Sequence, residues 1–119
     1  MFGFEKLDVW VRAIEYADSI YSLTKQFPPD ERFGLTNQLR RASVSISSNI
    51  AEGSGRQSNP DFCRFLRIAY GSVMECVSQL NIAKRQKYIS ESEFELVVVK
   101  AEELSRMLSG LKRSLERSQ

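Results

Sequence analysis

The chain has 119 residues, 42% hydrophobic and 27% charged, with a formal net charge of +2. This is the composition of one soluble globular domain with a single core, and it excludes a disordered or collagen-like chain. Histidine is absent, which excludes Ser-His and Cys-His nucleophile pairs, imidazole zinc sites and Glu-x-x-His di-iron motifs.

The opening MFGFEKLDVW carries charge within its first eight residues, so no signal peptide is expected. No apolar run approaches the roughly 20 residues that span a bilayer. A cytoplasmic location without membrane contact is the expectation. From Leu7 to Phe27, residues Leu7, Trp10, Ile14, Ala17 and Tyr21 recur in steps of three and four. That spacing predicts a helix over about 5–26 with those residues on its buried face. Phe27-Pro28-Pro29 ends it, because the residue before a proline disfavours α geometry.

Asp30 and Glu31 suit the start of a second helix, over 31–53. Within it, Ser43-Val44-Ser45-Ile46-Ser47 alternates like a strand. Yet Leu35, Leu39, Ala42, Ile46, Ile50 and Gly53 fall in one narrow helical sector, and no glycine or proline interrupts residues 35 to 52, so helix is predicted. Val44 and Ala51 then point outward as a small apolar spot. Gly53-Ser54-Gly55 is expected to end the helix. The loop Glu52-Gly53-Ser54-Gly55-Arg56 lacks the strand and the Gly-Lys-Ser/Thr ending of a phosphate-binding loop, so it reads as an interhelical turn.

The third helix is predicted over 60–87, with Asn59 as cap and Pro60 and Asp61 in its first turn. Its core residues are Phe62, Leu66, Ala69, Val73, Cys76, Leu80 and Ala83. Cys63 and Cys76 lie thirteen residues apart on it, about 20 Å along the axis, too far for a disulfide. They read as small buried hydrophobes. Ser90-Glu91-Ser92-Glu93 is a capping box opening a fourth helix over 91–116, with Phe94, Val97, Ala101, Leu104, Leu108, Leu111 and Leu115 in heptad steps. The fold class is therefore all-α, an antiparallel up-down-up-down four-helix bundle in a single domain, 1–119.

Three features exceed core packing. Gln38, Arg41, Ser45, Asn49, Glu52 and Arg56 form a polar stripe on the second helix. It is rich in residues of modest helix propensity, which predicts a hydrogen-bonded network between helices or subunits, with a ligand or RNA site as the alternative. The segment 36–90 carries eight bases against three acids. Its Arg40, Arg64, Arg67, Lys84, Arg85 and Lys87 are the candidate nucleic-acid contacts, since guanidinium suits phosphate. Tyr70 is the one aromatic candidate for base stacking. Finally, Phe2, Phe4, Phe33, Phe65, Val44, Ala51, Val98 and Val99 are surplus to one apolar face per helix, which predicts a homo-oligomer. No catalytic residue, cofactor or metal site is expected.

The residues also resemble a family. Val9-Trp10, Ile20-Tyr21, Phe27-Pro28 and Glu31-Arg32-Phe33-Gly34-Leu35 lead to the specific strings Gln38-Leu39-Arg40-Arg41-Ala42, Ser45-Ile46 and Asn49-Ile50-Ala51-Glu52-Gly53. Gly55-Arg56, Phe65-Leu66 and Gly71-Ser72 follow. These resemble the bacterial four helix bundle family, also called the 23S rRNA intervening-sequence proteins. The resemblance implies a ring-shaped homo-oligomer, a pentamer, without enzymatic activity. It also implies association with RNA or DNA, or with a protein partner such as a reverse transcriptase, as in a relative encoded by diversity-generating retroelements. An oligomeric protein–protein adaptor or scaffold without nucleic-acid binding is the alternative. Ser47 departs from the family pattern, where proline is frequent, and Tyr70 stands where a basic residue is common.

Overall fold

The structure is a computed structural model and describes residues 1–118. Four α-helices, α1 (Asp8–Thr24), α2 (Leu35–Ser54), α3 (Asn59–Arg85) and α4 (Glu91–Arg117), run up and down as an antiparallel bundle 46 Å long. Single 3₁₀ turns precede α1 (Gly3–Lys6) and α2 (Pro29–Glu31). The termini of α1, α2 and α3 differ from the sequence expectation for identifiable reasons. Leu7 is extended, which separates the Gly3–Lys6 turn from α1. Asp30 and Glu31 lie in the 3₁₀ turn rather than in α2, which starts at Leu35. Ser58, not Asn59, caps α3, its hydroxyl accepting from the Asp61 N–H at 3.2 Å. Asn59 instead donates its side-chain amide to the Leu115 carbonyl of α4.

Glu31 caps α2 from outside it. Its carboxylate accepts the otherwise free Leu35 N–H at 3.0 Å and the Tyr88 hydroxyl at 2.9 Å. One side chain thereby fastens the start of α2 to the α3–α4 turn. These two hydrogen bonds, the Leu35 bond foremost, hold the Glu31 carboxyl below its ordinary value. A depressed carboxylate contributes stability that is complete above its unfolded value, about 4.3, and lost as pH falls through its folded value. Glu31→Gln should therefore melt lower than wild type at pH 7. It should also show a smaller fall in melting temperature between about pH 5 and pH 3; an unchanged acid limb would remove Glu31 from the acid transition.

The other ends behave as their chemistry dictates. Ser90 and Glu93 form the reciprocal capping box that opens α4. At the end of α3, Lys87 adopts φ 64°, the Tyr88 N–H bonds to the Ala83 carbonyl and the Lys87 N–H to that of Lys84. This is a left-handed helix stop made without glycine. α2 continues unbroken through Ser47, whose hydroxyl donates to the Val44 carbonyl.

The predicted faces of α2 and α3 are buried, with Phe62 at the core's margin; on α4, Val97, Ala101, Leu104 and Leu108 are buried. α1 differs. Its buried face is Val9, Ala13, Tyr16, Ile20 and Leu23, whereas Trp10, Ile14 and Ala17 are half-buried and Tyr21 is exposed. Both sets obey three-four spacing, one residue out of phase. The second set flanks α2, and Trp10 packs edge-on against Phe4 of the N-terminal turn at 5.1 Å.

The surplus apolar residues also divide. Phe65 is buried at 6% exposure, and Ala51 is half-buried, lining a shallow groove with Phe2, Phe4 and Leu7. Val44, Val99 and Phe33 remain exposed, Phe33 at 84%. Both cysteines are buried and free. No helix among the described residues is long and apolar enough to cross a membrane.

Candidate nucleic-acid interface

The polar stripe of α2 lies along its seam with α3. The Gln79 amide donates to the Gln38 side-chain oxygen at 3.4 Å, and the Ser72 hydroxyl to the Ser45 hydroxyl at 3.0 Å. Asn49 donates to both the carbonyl and the hydroxyl of Ser45. Arg56 pairs with Glu52 at 3.0 Å and with Asp61 at 3.7 Å. Small and amide side chains let α2 and α3 approach closely; Gln38 and Ser45 find partners across the seam, Asn49 bonds within α2, and the buried Gln79 Oε1 accepts no hydrogen bond among the described residues. Arg41 stands apart: it is exposed and makes no ion pair among the described residues.

The six candidate cations do not form one surface. Arg40 is taken up by the α1–α2 contact. Its Nε donates to the Thr24 hydroxyl at 2.9 Å, and its guanidinium lies 4.7 Å above the Tyr21 ring. Lys84 stands 4.1 Å from the Phe94 ring centre and 3.8 Å from Glu91, where it also complements the C-terminal dipole of α3. Arg85 and Lys87 are exposed at that end of the bundle and make no ion pair among the described residues. Arg64 and Arg67 belong to the opposite end. Eighteen residues separate Arg67 from Arg85, about 27 Å along the helix.

At the Arg64 end the α2–α3 turn opens a polar concavity lined by Arg56, Ser58, Asp61, Arg64 and Arg67. Phe65 lies beneath two of these arginines. Arg56 and Arg64 lie 4.8 and 4.5 Å from the Phe65 ring centre, and both reach the Asp61 carboxylate. Ring contact and the shared carboxylate hold the two guanidinium planes in place. Asp61 and Glu52 offset part of their charge, whereas Arg67 carries no ion pair among the described residues.

Arg67 also lines a second hollow, between α3 and α4, with Tyr70, Gly71, Leu108, Ser109 and Lys112. Lys112 was missed in the sequence because it lies on another helix. Antiparallel pairing counted outward from the turn between Arg85 and Glu91 would have placed it opposite Arg64. Among the described residues no group of three His, Cys, Asp or Glu side chains could hold a metal.

The family profile described as 23S rRNA-intervening sequence protein matches residues 5–110. No curated protein matches the sequence. Among solved structures, the chain is similar to a protein of unknown function from the S23 ribosomal protein family of Bacteroides thetaiotaomicron. The TM-score is 0.78 and the identity 26%, over 87% of this chain and 97% of that one.

Proposed function

We propose a function from one premise: the chain belongs to the 23S rRNA-intervening sequence protein family. The protein is a non-enzymatic, homo-oligomeric four-helix bundle that associates with RNA or DNA. The observation that carries this reading is the arginine-lined concavity at the α2–α3 turn, where Arg67 carries no ion pair among the described residues and Arg56 and Arg64 are braced against Phe65. Guanidinium groups held in this way lose little freedom on meeting a phosphate. Arg85 and Lys87 supply a second, separate basic end. Exposed Phe33, Val99 and Leu96, the last at 68%, support self-assembly.

The test is binding to a mixed RNA and DNA panel across a salt series, with solution mass measured in parallel. Wild type is expected to bind as an oligomer, more weakly as salt rises. Arg64→Glu with Arg67→Glu should weaken binding about tenfold or more and flatten the salt dependence. An oligomer that ignores every nucleic acid at low salt would sink the reading. The exposed Val44 on α2 then favours the second reading, an adaptor for a protein partner, whose binding would survive salt.

A further inference from the structure

The hollow between α3 and α4 has features that neither core packing nor the basic end of the bundle accounts for. Its volume is about 390 Å³ and its walls are largely apolar, formed by Tyr70, Gly71 and Leu108, with Arg67 and Lys112 at its rim and Ser109 beside them. Tyr70 is 39% exposed, and its ring contacts no other ring or cation among the described residues. The hydroxyls of Tyr70 and Ser109 make no hydrogen bond among the described residues.

Gly71 marks the hollow as an opening rather than a packing contact. A Cβ built there meets nothing within 4 Å, so no neighbour demands glycine. Yet glycine inside a helix is less favourable than alanine by about 1 kcal/mol. Its effect is to leave bare the wall beside the Tyr70 ring.

We propose that this hollow seats one nucleotide of single-stranded RNA. The base stacks on Tyr70 over the Gly71 wall, and the adjoining phosphate lies between Arg67 and Lys112. Ser109 faces the ribose, where its free hydroxyl suits a 2′-hydroxyl. Because Arg67 lines both hollows, the strand continues from here past Arg64 toward the α2–α3 turn. Lys112 is engaged with Glu116 at 3.0 Å, an exposed pair that a phosphate can displace at little cost. The proposal rests on the nucleic-acid reading and deepens it by naming the strand type and the seat.

The experiment uses full-length protein and fluorescein-labelled decauridylate, with decadeoxythymidylate as the second probe, read by anisotropy. Tyr70→Ala and Gly71→Leu should each weaken decauridylate binding about tenfold, while Tyr70→Phe binds as wild type. Solution mass and melting temperature should stay close to wild type for Gly71→Leu, because Gly71 is exposed and a Cβ there meets nothing within 4 Å. If decauridylate binds wild type and both disruptive variants alike, the seat is wrong while the nucleic-acid reading stands. Equal affinity for decadeoxythymidylate overturns the assignment to RNA. A Gly71→Leu protein that loses its oligomeric mass also overturns the proposal, since the hollow is then a contact between copies. If wild type binds no nucleic acid at all, both readings fall together.

Discussion

Gly53→Val is expected to destabilise the protein by about 3 kcal/mol, the upper range for overpacking a close contact. Gly53 is a buried residue near the end of α2, and it does not end the helix, which runs on to Ser54. A Cβ at Gly53 would lie 2.6 Å from the Phe65 Cβ and 2.9 Å from the Phe62 Cδ1. The Phe62 ring can swing aside. The Phe65 Cβ cannot, because it is fixed to the backbone of α3. The helices must therefore separate at the end of the bundle where Phe65 supports Arg56 and Arg64. Alanine's propensity advantage, about 1 kcal/mol, is too small to offset this, and valine forgoes most of it. Denaturant unfolding checks the prediction, with Gly71→Ala as the companion: a Cβ added to a helical glycine in open space, expected to be neutral or mildly stabilising. Equal stability of Gly53→Val and wild type would mean that α2 and α3 do not meet at Gly53.

Tyr16→Phe is expected to stabilise the protein by about 1–2 kcal/mol. Tyr16 is 1% exposed, in the middle of the core, and its hydroxyl has no hydrogen-bond partner among the described residues. Burial first, and then the neighbouring Cys76, push the Tyr16 hydroxyl far above its ordinary value. Burial likewise pushes the Cys76 thiol up to about 12. Both groups are thus neutral at physiological pH, and sulfur is a weak partner for the hydroxyl. An unsatisfied buried hydroxyl costs about 1–3 kcal/mol, while phenylalanine keeps the ring and its packing. Thermal unfolding should show a higher midpoint. A lower midpoint would mean that the hydroxyl–thiol contact is a stabilising hydrogen bond, and Cys76→Ala should then remove the difference between tyrosine and phenylalanine.

The candidate site was partly legible. Arg64 and Arg67 were picked out by spacing on one helix, which is local information. Arg40 and Lys84 were picked out in the same way, yet Thr24 and Tyr21 hold the first and Phe94 and Glu91 the second. Nothing in an arginine's own neighbourhood in sequence says whether a residue sixteen positions earlier will occupy its guanidinium. Lys112 and the hollow it closes required two helices to be brought together. Phe65 reads as surplus because its position lies beside the core stripe, and the close approach of α2 at Gly53, with Arg56 and Arg64 over its ring, covers it.

Elements and their order followed from the sequence alone, because three-four spacing, proline breaks and the Ser90–Glu93 box act within a few residues of one another. The buried faces of α2 and α3, and most of that of α4, followed for the same reason: each has one dominant apolar sector. On α1 two apolar sectors adjoin. Trp10, Ile14 and Tyr21 satisfy helical spacing as well as Val9, Ala13, Tyr16 and Ile20 do. Which set turns inward depends on what α2, α4 and the Phe4 turn place against each side. The tertiary structure decided that, as it decided which arginines remain free, because burial is settled by neighbours distant in sequence whereas helical periodicity is not.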